Sequence, residues 1–304
     1  MSVSVGPEAL LALLACAGYG VATMRGQEVA RLPSAALVAG WLLHGAALAL
    51  AVSGWGTEGG GARFGFAPAL SGAVWLVLAV HAVESRFVPL PGVRRALAAM
   101  GVVVSGLIVF FPGEVALVFS SPLTPLHLLL GIASYGLFGA AVIHGVMLDS
   151  AERALRRKPG SAAGGLVQGT AAGGAAGGAP GGAATLAGPP ALGPHSTLFG
   201  LPLMRLERLT FRFVEAGFVV LSLALLMGWL ASLWGHAAWR WDHKTVFSLM
   251  GWATFAALIA GRHFKGWRGR RATRWLYVGA GLLVLAYIGS RFVAEVVLNR
   301  AVPA

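Results

Sequence analysis

Eight apolar runs govern what this chain can fold into. They lie at approximately 8–24, 34–53, 68–85, 96–112, 125–148, 213–234, 245–262 and 275–298 of the 304 residues. An α-helix rises 1.5 Å per residue, so about 20 apolar residues cross the ~30 Å hydrocarbon core of a bilayer. Composition agrees: 57% of residues are hydrophobic and only 11% are charged, against roughly 25% charged in an average soluble domain. Too few charges exist to cover a globular surface, which excludes a soluble fold. The first run lacks a basic n-region and a second run follows at once, so it reads as a span rather than a cleaved signal. Small residues recur inside the runs, as in Gly131, Ser134 and Gly136 or Gly279 and Gly281, and such residues let helix backbones approach closely in lipid. The expected fold is all-α, a polytopic membrane bundle of about eight transmembrane helices.

The charges orient the bundle. The net charge is +12, which in a soluble protein points to nucleic acid. Here the placement of the charges gives another cause. With the N-terminus outside, eighteen of the 23 Lys and Arg residues fall in the loops that face inward, and five (Arg63, Arg240, Lys244, Arg291 and Arg300) fall outside. Cytoplasmic loops collect Lys and Arg, so the chain reads as N-out and C-out. The charge then requires no nucleic acid, and the expected surroundings are membrane lipid. Cys16 is the single cysteine, which rules out an intrachain disulfide, a zinc cluster and a CxxCH haem-attachment motif. The chain is not itself a c-type cytochrome.

Residues 159–194 are almost pure Ala, Gly and Pro with no charge. Gly and Pro are poor helix formers, and large aliphatics are few, so this stretch reads as a disordered connector rather than a ninth span. As a flexible coil its 36 residues reach about 30–36 Å. It divides the chain into a five-span membrane bundle over 1–152, a cytoplasmic linker over 153–207, and a three-span bundle over 208–304, together one membrane domain. No internal repeat of the inverted-transporter kind is visible.

Ionisable groups within a bilayer are costly, so each marks a functional candidate. His44 lies near the middle of the second span and His127 at the outer start of the fifth; His81 and His144 lie in the inner halves of the third and fifth spans. A neutral histidine bonded between helices is the structural alternative for each. Imidazole is also an axial ligand for haem iron and a ligand for copper or zinc. The loop after the sixth span reads Trp234, Gly235, His236, Ala237, Ala238, Trp239, Arg240, Trp241, Asp242, His243, Lys244. An interfacial aromatic belt accounts for scattered tryptophans. Three tryptophans beside a cation and a carboxylate also suit a flat amphipathic ligand, such as a porphyrin with its propionates. The inward string Gly266, Trp267, Arg268, Gly269, Arg270, Arg271 reads as a basic stop-transfer loop against anionic lipid.

Four stretches carry a resemblance. They are His127 with Ser134, Tyr135 and Gly136; Trp234 to Lys244 with Phe247 to Trp252; Gly266 to Arg271; and Leu285 to Arg291 with Tyr287 and Gly289. In these the chain resembles the cytochrome c assembly membrane proteins, the CcsA/CcmC-type haem-handling family, closest to its YpjD-like branch with HemX-like proteins nearby. The resemblance is best over 122–152 and 200–296. It implies a haem-binding helical bundle in the bacterial inner membrane, an assembly factor and not an enzyme, with other cytochrome c assembly proteins as partners. His127 matches the outer histidine ligand, and Trp234, Trp239, Trp241 and Asp242 match the haem-presenting loop. His44 falls where the nearer branch has a histidine. Two departures stand out: after the Asp the family has Pro, Lys and Glu where this chain has His243, Lys244 and Thr245, and Leu298 and Ala260 stand where it has further histidines. Two rival functions remain open, a regulatory or scaffold membrane protein of the HemX kind and, third, a small-solute or ion transporter.

Overall fold

The computed structural model describes residues 6–24, 31–53, 62–84, 91–116, 123–156, 197–198, 201–234 and 241–297. Eight long helices carry the fold: α1 (Pro7–Thr23), α2 (Arg31–Ser53), α3 (Phe66–Glu84), α4 (Pro91–Phe110), α5 (Leu123–Arg156), α6 (Leu203–Trp234), α7 (His243–Lys265) and α8 (Gly269–Val284). The last continues past Val284 through two π-helical turns to Val297. Seven of these are long and apolar enough to cross a membrane, and α1 is a shorter apolar helix of 17 residues. Large apolar side chains such as Leu14, Leu42, Val219 and Leu223 face outward. A bundle apolar both inside and out is a bundle dissolved in lipid. Two short antiparallel pairs accompany the helices: β1 (Ala62–Phe64) with β2 (Glu114–Ala116), and β3 (Thr197–Leu198) with β4 (Leu201–Pro202).

The packing divides the helices four and four. One core joins α1 to α4 around Tyr19, Val74, Val77, Leu78, Leu97 and Val104. The other joins α5 to α8 around Phe138, Phe211, Val214, Phe255, Leu258 and Leu276. Thus α5, which the linker groups with the N-terminal spans, packs with the C-terminal ones. Helix α3 crosses the seam and packs against α5.

Lipid supplies no hydrophobic drive between helices, so close packing and interhelical hydrogen bonds hold such a bundle. Both are present. The rings of Phe138 and Phe255 stack 3.8 Å apart at 9°. Trp41 and Trp75 stack at 4.7 Å, and each indole N–H donates to the other's backbone carbonyl, at 3.0 and 2.9 Å. At the inner end, Asp149 on α5 accepts from Thr273 and from Tyr277 on α8, both at 2.9 Å. His144 donates Nδ1–H to the Ala140 carbonyl at 2.8 Å, and its Nε2 lies 3.1 Å from Glu84 on α3.

Those inner anchors explain where the helices end. Helix α5 runs to Arg156 and α6 starts at Leu203, so both enter the stretch assigned to the linker. At 34 residues, α5 is about 50 Å long and outreaches the ~30 Å core. Its last turns are fixed to α8 by Asp149, and Glu152 lies under Gly269. Residues 157–196, which hold most of the linker, lie outside the described residues. Helix α7 ends at Gly266 with φ 62°, where the Trp267 N–H donates back to the Gly261 carbonyl. Gly269 opens α8 with φ 57°. The left-handed region costs other residues ~1–2 kcal/mol, so the two glycines of the basic string make its tight inner turn.

Candidate functional site

A cavity of about 410 Å³ opens at the seam between the two cores. That volume falls within the ~300–1,000 Å³ of small-molecule sites. Gly45, Leu48, Ala49 and Val52 contribute from α2, at the spacing of one helix face, and Gly72, Trp75 and Leu76 from α3. Helix α5 gives His127, Leu129, Ile132, Ser134 and Tyr135, and Ala224, Ser248 and Tyr287 come from α6, α7 and the π-helical turn after α8. Val52 and Leu129 are also exposed at the bundle surface, so the cavity meets the surroundings on that side. Among the described residues its lining holds no Lys, Arg, Asp or Glu.

His127 is the one histidine in this lining among the described residues. It sits one turn inside α5 and faces α6. Its Nδ1–H donates to the Ala224 carbonyl at 2.8 Å, and a carbonyl can only accept, so the proton is on Nδ1. In the neutral ring this leaves the Nε2 lone pair for a ligand, the arrangement in which a second partner orients a metal-binding imidazole. Gly228 makes the fit possible. A Cβ there would stand 3.0 Å from Cε1 and 3.3 Å from Nδ1 of His127. Neither Ala224 nor Gly228 stood out in the sequence, because their partner is about a hundred residues away.

His44 takes a different place. It is fully buried among α1, α2 and α3 and absent from the cavity lining. Its Nδ1 is hydrogen-bonded to the Tyr19 hydroxyl at 3.1 Å and its Nε2 to Ser71 Oγ at 2.5 Å. Both ring nitrogens are engaged, so the structure does not bring His44 to His127. His81 and His144 belong to the inner end, beside Glu84.

The tryptophan loop is partly described. Trp239, Gly235 and His236 lie outside the described residues, as does the side chain of Trp234, the last residue of α6. Trp241 is 72% exposed. Asp242 caps α7: its Oδ1 accepts from the Thr245 N–H at 2.9 Å and the Thr245 hydroxyl at 3.0 Å. Partial burial pushes its carboxyl up, but the bonds from Thr245 and the charges of Lys244 and His243 outweigh this and hold it below its ordinary 3.8. The carboxylate that the sequence offered as part of a ligand platform thus also starts a helix.

Two π-helical turns distinguish the outer end of the last span, Leu285–Gly289 and Val293–Val297. Such turns cluster at functional sites. The first presents Tyr287 and Ile288 to the cavity, and the Tyr135 hydroxyl donates to the Leu283 carbonyl beside it at 2.5 Å. No group of three or more His, Cys, Asp or Glu able to hold a bare metal ion occurs among the described residues.

The family described as Cytochrome C assembly protein matches residues 5–298. The chain is similar to the cytochrome c biogenesis protein CcsA of Synechococcus sp. (strain JA-3-3Ab), 32% identical over 104 residues, which cover 32% of this chain and 30% of that protein. It is 34% identical over 92 residues to CcsA of Gloeobacter violaceus, covering 30% of this chain and 27% of the other. It is 36% identical over 98 residues to the inner membrane protein YpjD of Escherichia coli (strain K12), covering 32% of this chain and 36% of YpjD. The chain thus spans about a third of the length of these curated relatives. No solved structure matches it. It is a multi-pass membrane protein, and the inner membrane is the location its relative YpjD is named for. With the family matching nearly the whole of an all-helical, lipid-facing bundle, the chain belongs to the cytochrome c assembly protein family.

Proposed function

We propose that this protein is an inner-membrane assembly factor of cytochrome c biogenesis that binds haem and is not an enzyme. One observation carries the reading: an apolar cavity of about 410 Å³ whose wall holds His127 with Nδ1 tied to a carbonyl and Nε2 left over. The donor set fits haem, whose iron takes an imidazole as an axial ligand. His127 would hold the iron, and the cavity's apolar faces from α2, α3 and α5 would hold the ring. When bound, haem supplies an iron centre and a flat apolar ring ready for hand-over. The chain's own residues bind it, fix the ligand tautomer through Ala224, and keep water from most of its surface. The exposed Trp241 would contribute an aromatic face from the outside loop. His44 stays within its Tyr19 and Ser71 bonds. Other cytochrome c assembly proteins would be its partners.

The test is optical. Protein purified from haem-replete cells is expected to show a Soret band that His127→Ala removes or shifts. Wild-type protein without haem absorbance overturns the reading.

A regulatory or scaffold role is the second reading, favoured by the inner face. Arg268, Arg270 and Lys265 are exposed there, and Arg271 lies 4.4 Å over the Trp267 ring. Crosslinking from residues 262–274 in intact membranes is expected to capture a partner protein under that reading and only lipid without it.

A further inference from the structure

The basic string Gly266 to Arg271 takes no part in the haem reading. It forms the tight turn between α7 and α8, and two exposed apolar faces end there. Helix α7 shows Val246, Met250, Ala253, Ala260 and Phe264 outward, at the spacing of one helix face. Phe264 closes that face at 87% exposed, and Lys265 follows it directly. On α8 and its continuation, Trp275, Val278 and Leu285 are exposed. Both faces suit acyl chains, so the turn lies where chains give way to headgroups. Arg271 precedes Trp275 by four residues, about 6 Å along the axis. A headgroup layer is about 5–8 Å deep on each side of the hydrocarbon. With Trp275 at the interface, where tryptophan concentrates, Arg271 stands at phosphate level.

Lys265, Arg268, Arg270, Arg271 and Arg274 are exposed here, and none forms an ion pair among the described residues. Of the nearby carboxylates on α5, Asp149 accepts from Thr273 and Tyr277, and Glu152 lies against Gly269. Arg271 differs from the other cations in being held. Its guanidinium carbon sits 4.4 Å over the Trp267 ring. That ring packs 5.4 Å from Trp275 and against Gly261, where a Cβ would collide with it. A guanidinium lying flat on a ring still presents its N–H edge for two parallel bonds to a phosphate. Arg274 follows three residues later, on the same side of α8. A loop that supplied charge alone would not need this ring stack.

We propose that this turn is a headgroup site for an anionic glycerophospholipid of the inner leaflet. Arg271 and Arg274 take the lipid phosphate, and Phe264 and Trp275 lie along its acyl chains. The uncompensated positive charge selects a headgroup that carries no ammonium of its own. An acidic soluble partner would satisfy the cations but not Phe264, which an acyl chain covers. The site stands apart from the seam cavity, so it holds or fails independently of haem.

The full chain in neutral detergent micelles is titrated with dioleoylphosphatidylglycerol, with dioleoylphosphatidylcholine and with inorganic phosphate. Native mass spectrometry counts what stays bound. Wild type is expected to hold its first phosphatidylglycerol about tenfold or more tightly than phosphatidylcholine, the scale of a charge-assisted contact. Arg271→Gln with Arg274→Gln is expected to lose most of that preference. Arg271→Lys keeps the charge but not the flat two-bond fork, and is expected to lose part of it. Arg205→Gln with Arg208→Gln removes two exposed cations from the inner end of α6 and is expected to change nothing. Equal wild-type affinity for the two lipids overturns the proposal. So does an equal loss from the α6 pair, which means diffuse charge, or a full preference kept by Arg271→Lys. Inorganic phosphate held as tightly as lipid means a free-anion site and overturns the lipid assignment. A crosslink from residue 270 to an acidic protein in intact membranes, in place of lipid, does the same. Should the double variant at 271 and 274 fail to fold, Arg271→Lys and Arg274→Gln decide alone.

Discussion

Gly228→Ala separates the ligand-holding role of His127 from the stability of the helix that supports it. The new Cβ would stand 3.0 Å from Cε1 and 3.3 Å from Nδ1 of the imidazole. Carbon contacts settle at ~3.5–4.0 Å, so the ring must retreat by roughly 0.5 Å. That retreat stretches the 2.8 Å bond to the Ala224 carbonyl, which fixes the tautomer. Loss of such an orienting partner typically lowers metal affinity ~10–100-fold, or about 1.4–2.8 kcal/mol. The helix itself gains, because Ala is about 1 kcal/mol better than Gly in a helix interior. The expected outcome is a melting temperature unchanged or raised, with haem affinity down at least tenfold in a Soret titration. A double-mutant cycle gives the decisive control. In a His127→Ala background, Gly228→Ala is expected to change haem affinity no further. An equal loss in both backgrounds refutes the argument, as does an unchanged affinity in the single variant.

Three further outcomes follow from other parts of the molecule. Asp242→Ala removes the cap of α7 and is expected to cost about 1 kcal/mol. Because the folded carboxyl is held below its ordinary 3.8, the cap's contribution is present above that pH and fades as the pH falls through the lowered value, so melts of wild type and variant converge in acid. Glu84→Ala leaves the His144 Nε2 without its 3.1 Å partner in a buried setting, a loss of about 1–3 kcal/mol; denaturation should detect it while the haem spectrum stays. Gly266→Ala puts a Cβ at φ 62° and is expected to lower stability by about 1–2 kcal/mol, with Gly266→Asn costing less.

What the sequence disclosed and what it hid follow from the range of the interactions concerned. Spans are local: apolar length alone placed all eight helices, within a turn at most ends. The exceptions, Pro91, Arg156, Leu203 and Gly269, are inner ends, where helices leave the lipid and hydropathy stops reporting. There the helix is held instead by tertiary bonds such as Asp149 to Thr273 and Tyr277, whose partners lie more than a hundred residues apart. The four-and-four packing was hidden for a related reason. A linker marks chain connectivity, whereas cores follow side-chain contact, and Phe138 of α5 stacks on Phe255 of α7. His44 and His127 looked alike as intramembrane imidazoles, and only their neighbours separate them. Tyr19 and Ser71 engage both nitrogens of one, and Ala224 engages a single nitrogen of the other.

The cavity itself sets what any ligand must supply. In a tightly packed interior, voids cost about 24 cal/mol per Å³. A dry cavity of about 410 Å³ would therefore cost on the order of 10 kcal/mol, comparable to the whole stability of a typical domain. Its exposed wall residues Val52 and Leu129 resolve this, because lipid chains can enter from the bilayer. A specific ligand then displaces lipid, and apolar contact, which lipid offers equally, contributes little to selection. Selection falls to the polar atoms that lipid chains cannot use. Among the described residues the His127 Nε2 on the wall is one such atom. A seam between two separately packed four-helix cores provides such a space without opening either core, and the inner contact of Glu84 on α3 with His144 on α5 ties the halves together below it.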